Sequence, residues 1–211
     1  MTLFWSLVAA TLVAAAVDWW AVAGDRRRLE LLFKPLTLLL LIAAAWALPQ
    51  PLSEQARDWM LLALICSLLG DVLLMADERY FVAGLGAFLA AHLLYGIGLA
   101  QFDMAPAALG PALLLVAAAG WLVGRRILAG AAAQSPRLRW PVALYMLAIS
   151  AMLVMAFATG LWAAVAGALL FYASDSLLGW NRFVRPLPHG RLGLMVCYHL
   201  GQLGLVLALL G

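Results

Sequence analysis

Charge is scarce in this sequence. Thirteen Lys and Arg and ten Asp and Glu make up 11% of 211 residues, where soluble domains carry about 25%. With 67% hydrophobic residues and a mean hydropathy of +1.02, too little polar surface remains to cover a globule in water. Cysteine is equally sparse. Cys66 and Cys197 both sit in apolar runs, which excludes a disulfide framework. The net charge of +3 comes from basic residues placed singly or in threes at the ends of apolar runs. That pattern excludes the continuous basic stripe of a nucleic-acid binder. No polar stretch is long enough for a soluble domain, and no HExxH metal motif occurs.

What is present is a series of long apolar runs. A bilayer core of roughly 30 Å takes about 20 apolar residues per helix. Runs at 2–23, 31–48, 58–76, 80–101, 106–124, 140–159, 161–179 and 192–210 predict an all-α polytopic transmembrane bundle of about eight spans in one domain, 1–211. The run at 2–23 contains Ala14, Ala15 and Ala16, as a cleaved leader would. No basic residue precedes it and it is long enough to span, so it reads as a retained helix. The least secure boundary is Thr159-Gly160, which alone separates spans six and seven.

Twelve of the thirteen basic residues fall on one side of these spans, and Arg57 alone falls on the other. The positive-inside rule makes the rich side cytoplasmic and both termini outward. A bacterial inner membrane is the expected location. Merging spans six and seven would strand Arg182, Arg185 and Arg191 outside, so the asymmetry also supports eight spans. Arg26, Arg27 and Arg28 read as topology signals. Trp19, Trp20, Tyr80 and Trp180 read as an interfacial belt, and His189 as a solvated loop residue.

A carboxylate in the middle of a lipid-facing helix costs about 2.5–3.5 kcal/mol, so one found there needs a partner, a water-filled cavity or a function. Asp18, Asp71 and Asp175 all lie within about two turns of the arginine-rich helix ends. Lys34 starts span two at that side, and His92, Tyr95, Tyr198, His199 and Gln202 reach deeper. Ser67, Gly70 and Asp71 share a face of span three, with Gly70 admitting a close neighbour. His92 and Tyr95 share a face of span four, Ser174 and Asp175 follow Phe171 in span seven, and Tyr198 and Gln202 share a face of span eight. These faces converge if spans three, four, seven and eight enclose one cavity. Gly70-Asp71-Val72-Leu73-Leu74 is echoed by Ser174-Asp175-Ser176-Leu177-Leu178. The echo is compatible with two four-helix halves that set Asp71 opposite Asp175. No basic residue at similar depth is expected beside either, which favours function. Asp18 has two open readings: an active-site residue, or a partner of Lys34 that fastens spans one and two. The stretch Gly120-Trp121-Leu122-Val123-Gly124 matches a helix-packing pattern and leaves oligomeric state open.

Lys34-Pro35-Leu36, Gly70-Asp71-Val72-Leu73-Leu74-Met75, the set Phe81, Gly84, Phe88, His92 and Tyr95, then Phe171 with Ser174-Asp175, and Tyr198 with Gln202 together resemble the YhhN family of membrane proteins, which includes the animal lysoplasmalogenases. One position departs: His199 stands where that pattern has a second Tyr. The resemblance implies hydrolysis of the vinyl ether bond of a lysoplasmalogen. The products would be a fatty aldehyde and a glycerophospho-amine or glycerophosphocholine. It implies a lysophospholipid substrate among membrane lipids, with no cofactor and no metal. Asp71 and Asp175 are the expected acid and base, in an order left open, with His92 able to stand in for either. Lys34 is expected at the lipid phosphate, and Tyr95, Ser174, Tyr198, His199, Gln202 and Asp18 around the substrate. Two rivals stand beside this expectation. One is a metal-dependent hydrolase using His92, His199, Asp71 and Asp175. The other is a proton-coupled transporter of small solutes or lipids.

Overall fold

The computed structural model describes residues 1–105 and 108–211. Within them the chain forms α1 (Thr2–Ala23), α2 (Arg27–Ala47), α3 (Glu54–Met75), α4 (Phe81–Leu99), α5 (Leu109–Ala119), α6 (Arg125–Gln134), α7 (Arg139–Thr159), α8 (Trp162–Phe183) and α9 (Gly190–Leu207). A π-helical turn, Gly120–Gly124, joins α5 and α6 into one rod. Nine helices therefore make eight helices long and apolar enough to cross a membrane. Large apolar side chains such as Trp46, Leu114, Trp140 and Trp162 point outward, as a bundle solvated by lipid requires.

Local chemistry sets the helix ends. Ser53 caps α3 by accepting a hydrogen bond from the Ala56 N–H at 3.2 Å. Asp77 accepts from the Arg79 N–H in the α3–α4 turn. Between α7 and α8, Gly160 adopts φ +67°, and Thr159 Oγ1 accepts from the Leu161 N–H at 3.1 Å. The left-handed glycine reverses the chain in two residues, so spans six and seven are separate helices.

The fifth span differs from its expected 106–124. Its predicted start at 106 lies outside the described residues, and its end moves to Gln134. The helix continues because Ile127 and Ala131 are buried, with α6 packed on α7 and α8. A Cβ on Gly130 would collide with the Phe183 carbonyl. Arg125 and Arg126 thus lie within the helix, their guanidiniums over Trp121 and Trp180. Arg26, Arg79, Arg139 and Arg182 likewise lie over Trp20, Tyr80, Trp140 and Phe81. The arginine-rich end is therefore a belt of cation–π pairs.

The close pairs are α1 with α2, α3 with α4, and α8 with α9, while α4 and α7 join the early and late helices. The α8–α9 crossing runs on glycine. A Cβ on Gly167 would lie 2.6 Å from Leu205 N, one on Gly201 2.7 Å from Phe171 N, and one on Gly204 2.6 Å from Gly167 Cα. Backbone touches backbone there, and that contact sets the register between Phe171, Ser174 and Asp175 on α8 and Tyr198 and Gln202 on α9.

Candidate active site

At the arginine-rich end, α2, α3, α4, α8 and α9 enclose a cavity of about 230 Å³. Of the residues expected from the sequence, Lys34, Asp71, Ser174, Asp175 and Tyr198 line it. Spans three, four, seven and eight do converge, and α2 joins them. Gly70 makes room for Phe88: a Cβ at Gly70 would lie 2.5 Å from Phe88 Cδ2, so the ring edge of this cavity-lining residue occupies the space a side chain would take.

The two aspartates have different surroundings. Lys34 Nζ lies 2.9 Å from Asp71 Oδ1, off the axis of a hydrogen bond, and Tyr198 OH donates to Asp71 Oδ2 at 2.7 Å. Asp71 is fully buried; it accepts a hydrogen bond on Oδ2 and faces a cation at Oδ1. This corrects the expectation that no basic residue would neutralise Asp71. Lys34 stands one turn inside α2 from Glu30, where α2 packs on α3 and α9, and its long stem carries the ammonium inward.

Asp175 faces aromatic and imidazole groups. Tyr145 OH donates to Asp175 Oδ2 at 2.5 Å, and His92 Nε2 lies 3.3 Å from the same oxygen, out of hydrogen-bond alignment. His92 Nδ1 is 2.6 Å from the Phe88 carbonyl oxygen. A carbonyl only accepts, so Nδ1 carries a hydrogen and Nε2 is left to exchange a proton with Asp175. The imidazole's remaining nitrogen thus stands beside the carboxyl. His92 itself is absent from the cavity wall and lies behind Asp175.

Deeper in the bundle, Tyr95 OH donates to Gln202 Oε1, near buried Ser67. These groups lie beneath the cavity floor. Phe171, buried behind the cavity wall, packs among them, with its ring centroid 4.7 Å from that of His92, 5.4 Å from Tyr198 and 6.2 Å from Tyr95. Tyr95 and Gln202 therefore brace the site from below and do not line it.

Asp18 and His199 lie elsewhere. Asp18 is fully buried, with a hydrogen bond to neither oxygen. Lys34 forms its ion pair with Asp71 and with no other carboxylate among the described residues, so the expected Asp18–Lys34 fastening is not made. His199 Nδ1 accepts from Trp19 Nε1 at 3.1 Å, with the two rings stacked. This corrects two expectations. Trp19 is an interior partner rather than a belt residue, and His199 is turned toward α1, away from the cavity. The four-ligand set proposed for a metal is therefore not assembled. Among the described residues no group of three or more His, Cys, Asp or Glu side chains is placed to hold a metal ion.

The mouth carries groups that sequence reasoning passed over. Glu30, buried, meets Arg27 at 3.2 Å and Arg191 at 2.9 Å. Arg191 also reaches Asp25, and Arg27 donates to the Met75 carbonyl at 2.6 Å. Lys34, expected at a lipid phosphate, is committed to Asp71, so the cations at the rim are Arg27 and Arg191. Both carried a signal only as topology residues. Tyr145 was missed as well, and its one sequence cue was a hydroxyl two turns inside an otherwise apolar run.

The helical bundle and its enclosed carboxylates define an integral, multi-pass membrane protein with a buried polar cavity. The chain belongs to the YhhN family, whose profile matches residues 29–209. It is 39% identical over 151 residues to the human protein named lysoplasmalogenase TMEM86B, covering 70% of this chain and 62% of that protein. It is 35% identical over 192 residues to the mouse protein of the same name, covering 90% and 80%. It is 34% identical over 190 residues to the membrane protein YhhN of Escherichia coli O157:H7, covering 86% and 84%. The match thus spans less than two thirds of the human protein's length. No solved structure matches the chain.

Proposed function

We propose that this protein is a lysoplasmalogenase, hydrolysing the vinyl ether bond of a single-chain alkenyl phospholipid, with Asp175 as proton donor and Asp71 as the carboxylate that receives water's proton. The observation that carries this reading is that two carboxyl groups face one cavity with opposite partners. Asp175 sits against His92 Nε2 and Tyr145, and Asp71 against Lys34 and Tyr198. The names of the human and mouse relatives agree with it.

The chemistry assigns each group a task. Asp175 transfers a proton to the alkenyl carbon remote from oxygen, and the adjacent carbon becomes an oxocarbenium ion. The Asp175 carboxylate left behind faces Tyr145 OH and His92 Nε2, which steady it until its proton returns. Water adds to the cationic carbon and yields a proton to Asp71, forming a hemiacetal. The hemiacetal then breaks its bond between that carbon and the glycerol oxygen. That oxygen takes the proton held by Asp71, and the hemiacetal hydroxyl gives its proton to the Asp175 carboxylate, so aldehyde and glycerophospho-alcohol leave with both carboxyls back in their starting states. The Asp71 carboxylate and the faces of Phe88 and Tyr198 offer negative charge to the oxocarbenium ion. Arg27 and Arg191 are placed for the lipid phosphate, and Glu30 between them for a cationic head group. By the positive-inside rule the mouth opens at the cytoplasmic face and both termini lie outside, in the inner membrane if the cell is bacterial.

The test is an aldehyde-coupled assay on purified protein, comparing a lysoplasmalogen with the matching acyl lysophospholipid. Aldehyde from the alkenyl lipid alone supports the reading. Fatty acid release from the acyl lipid alone makes the protein an esterase and refutes it.

A further inference from the structure

A second opening, separate from the polar cavity, lies between α4, the α5–α6 rod, α7 and α8. It is narrow, enclosing about 50 Å³, and its walls are mostly apolar, with Leu85, Val123, Ile127, Val142, Met146 and Ile149 among them. Two residues belong to both openings: Asp175 and Leu178 line the cleft and the polar cavity alike. The carboxyl of Asp175 thus stands where an apolar passage meets a polar one.

We propose that this cleft holds the alkenyl chain of the substrate, with the polar cavity holding its head group, so that the bond between them is presented to Asp175. The proposal rests on the lysoplasmalogenase reading and deepens it. Three features of the cleft support it. First, the mostly apolar cleft, with Arg182 its one basic residue, leads to the Asp175 carboxyl and on to the polar cavity with Arg27 and Arg191, the order of chain, ether and phosphate in a lysolipid. Second, its outer wall is the loosest part of the bundle. Only 17% of the apolar window of the rod Leu109–Gln134 is buried, against 33–61% in the other spans, so a chain can enter from the bilayer by displacing one peripheral helix. Third, the π turn Gly120–Gly124 interrupts the regular helix at this wall, where Val123 and Gly124 line the cleft. Such turns weaken the local hydrogen-bond ladder and lie frequently at functional sites. Gly124 leaves room there for the flexible end of Met146, an adaptable side chain well suited to yield to a hydrocarbon.

The experiment uses the full-length protein in detergent or liposomes with two readouts. In the first, kcat/KM is measured for alkenyl lysolipids of increasing chain length in wild type, Ile149→Phe and Val123→Trp. Each methylene that finds apolar surface adds about fourfold to kcat/KM, from roughly 0.8 kcal/mol per buried CH2. The expected result is a rise with chain length that stops at a shorter chain in the variants, by several methylenes in Ile149→Phe. Equal slopes in all three proteins overturn the proposal. In the second, a saturated ether lysolipid carrying a mid-chain diazirine is photolysed and the labelled peptides are identified. Label on 119–127 or 142–149, reduced in Ile149→Phe, supports the cleft. Label confined to α1 or to the outer faces of the bundle overturns it. The ether probe is not a substrate, so labelling of the cleft without aldehyde release from any alkenyl lipid refutes the enzymatic reading and leaves the chain site standing. Should Ile149→Phe fail to fold, Val123→Trp, on the partly exposed wall, carries both tests.

Discussion

Asp71 and Asp175 line one cavity at the same end of the bundle, yet their neighbours assign them different work. Around Asp71 the partners are permanent: a lysine ammonium and a tyrosine hydroxyl, both donors, with the carboxylate sealed from solvent. Around Asp175 the partner is an imidazole whose remaining nitrogen can take or give a proton. One carboxylate therefore faces a cation and a hydroxyl, and the other an imidazole and a hydroxyl. The proposed division into acid and base draws on this difference in surroundings. Asp18 and His199 make the contrast sharper. They are a further buried acid and imidazole, but they line no part of the cavity and find no common partner.

The largest effect is expected at Asp175. Asp175→Asn keeps the shape and removes the transferable proton, so aldehyde release falls by about 10³–10⁴-fold, the upper range for loss of a general acid. A single-turnover assay that still forms aldehyde at near wild-type rate would refute the assignment. Asp71→Asn is expected to cost about 10²–10³-fold, with Lys34 then left as a buried cation without its counter-charge. The ion pair offers a separate test. Lys34→Met alone is expected to destabilise the protein by about 3–5 kcal/mol, because it leaves a buried carboxylate unpaired. Adding Asp71→Leu restores most of the stability and none of the activity. Recovery of turnover in the double variant would show that the pair is only structural.

A smaller effect is expected behind Asp175. His92→Gln is expected to lower kcat by about 10²-fold with KM little changed, since His92 faces the Asp175 carboxyl without lining the cavity. A KM increase with kcat retained would place His92 at the substrate instead. The smallest effect is expected in the region that does not line the cavity. Asp18→Asn and His199→Phe should keep turnover within about threefold, and a loss comparable with Asp71→Asn would bring that region into the site. Activity should also survive prolonged dialysis against a chelator. A loss reversed by added zinc would favour a metal mechanism.

Several parts of this protein were legible without coordinates because each depends on one-dimensional quantities. The length of an apolar run against bilayer thickness predicted the eight spans. The lopsided distribution of arginine marked one end of the bundle. The cost of a buried carboxylate singled out Asp18, Asp71 and Asp175, and i, i+4 spacing put Ser67 with Asp71 and Tyr198 with Gln202. The α7–α8 break at Gly160 was likewise visible, since a glycine that can take positive φ is a local property of the chain.

What only the tertiary structure decided is which of these polar groups meet. Helical spacing orients a side chain on its own helix but says nothing of how far that helix slides or rotates against its neighbour. The α8–α9 register depends on Gly167, Gly201 and Gly204 interlocking across two helices. The reach of Lys34 to Asp71, the pairing of His92 and Tyr145 with Asp175, and the turning of His199 toward Trp19 all depend on such rotations. Composition and spacing thus determined that a polar site exists and at which end it opens. Packing determined that Asp71 meets Lys34 and Tyr198 while Asp175 meets His92 and Tyr145, because the partner of a buried carboxylate is chosen by the helix that rests against it.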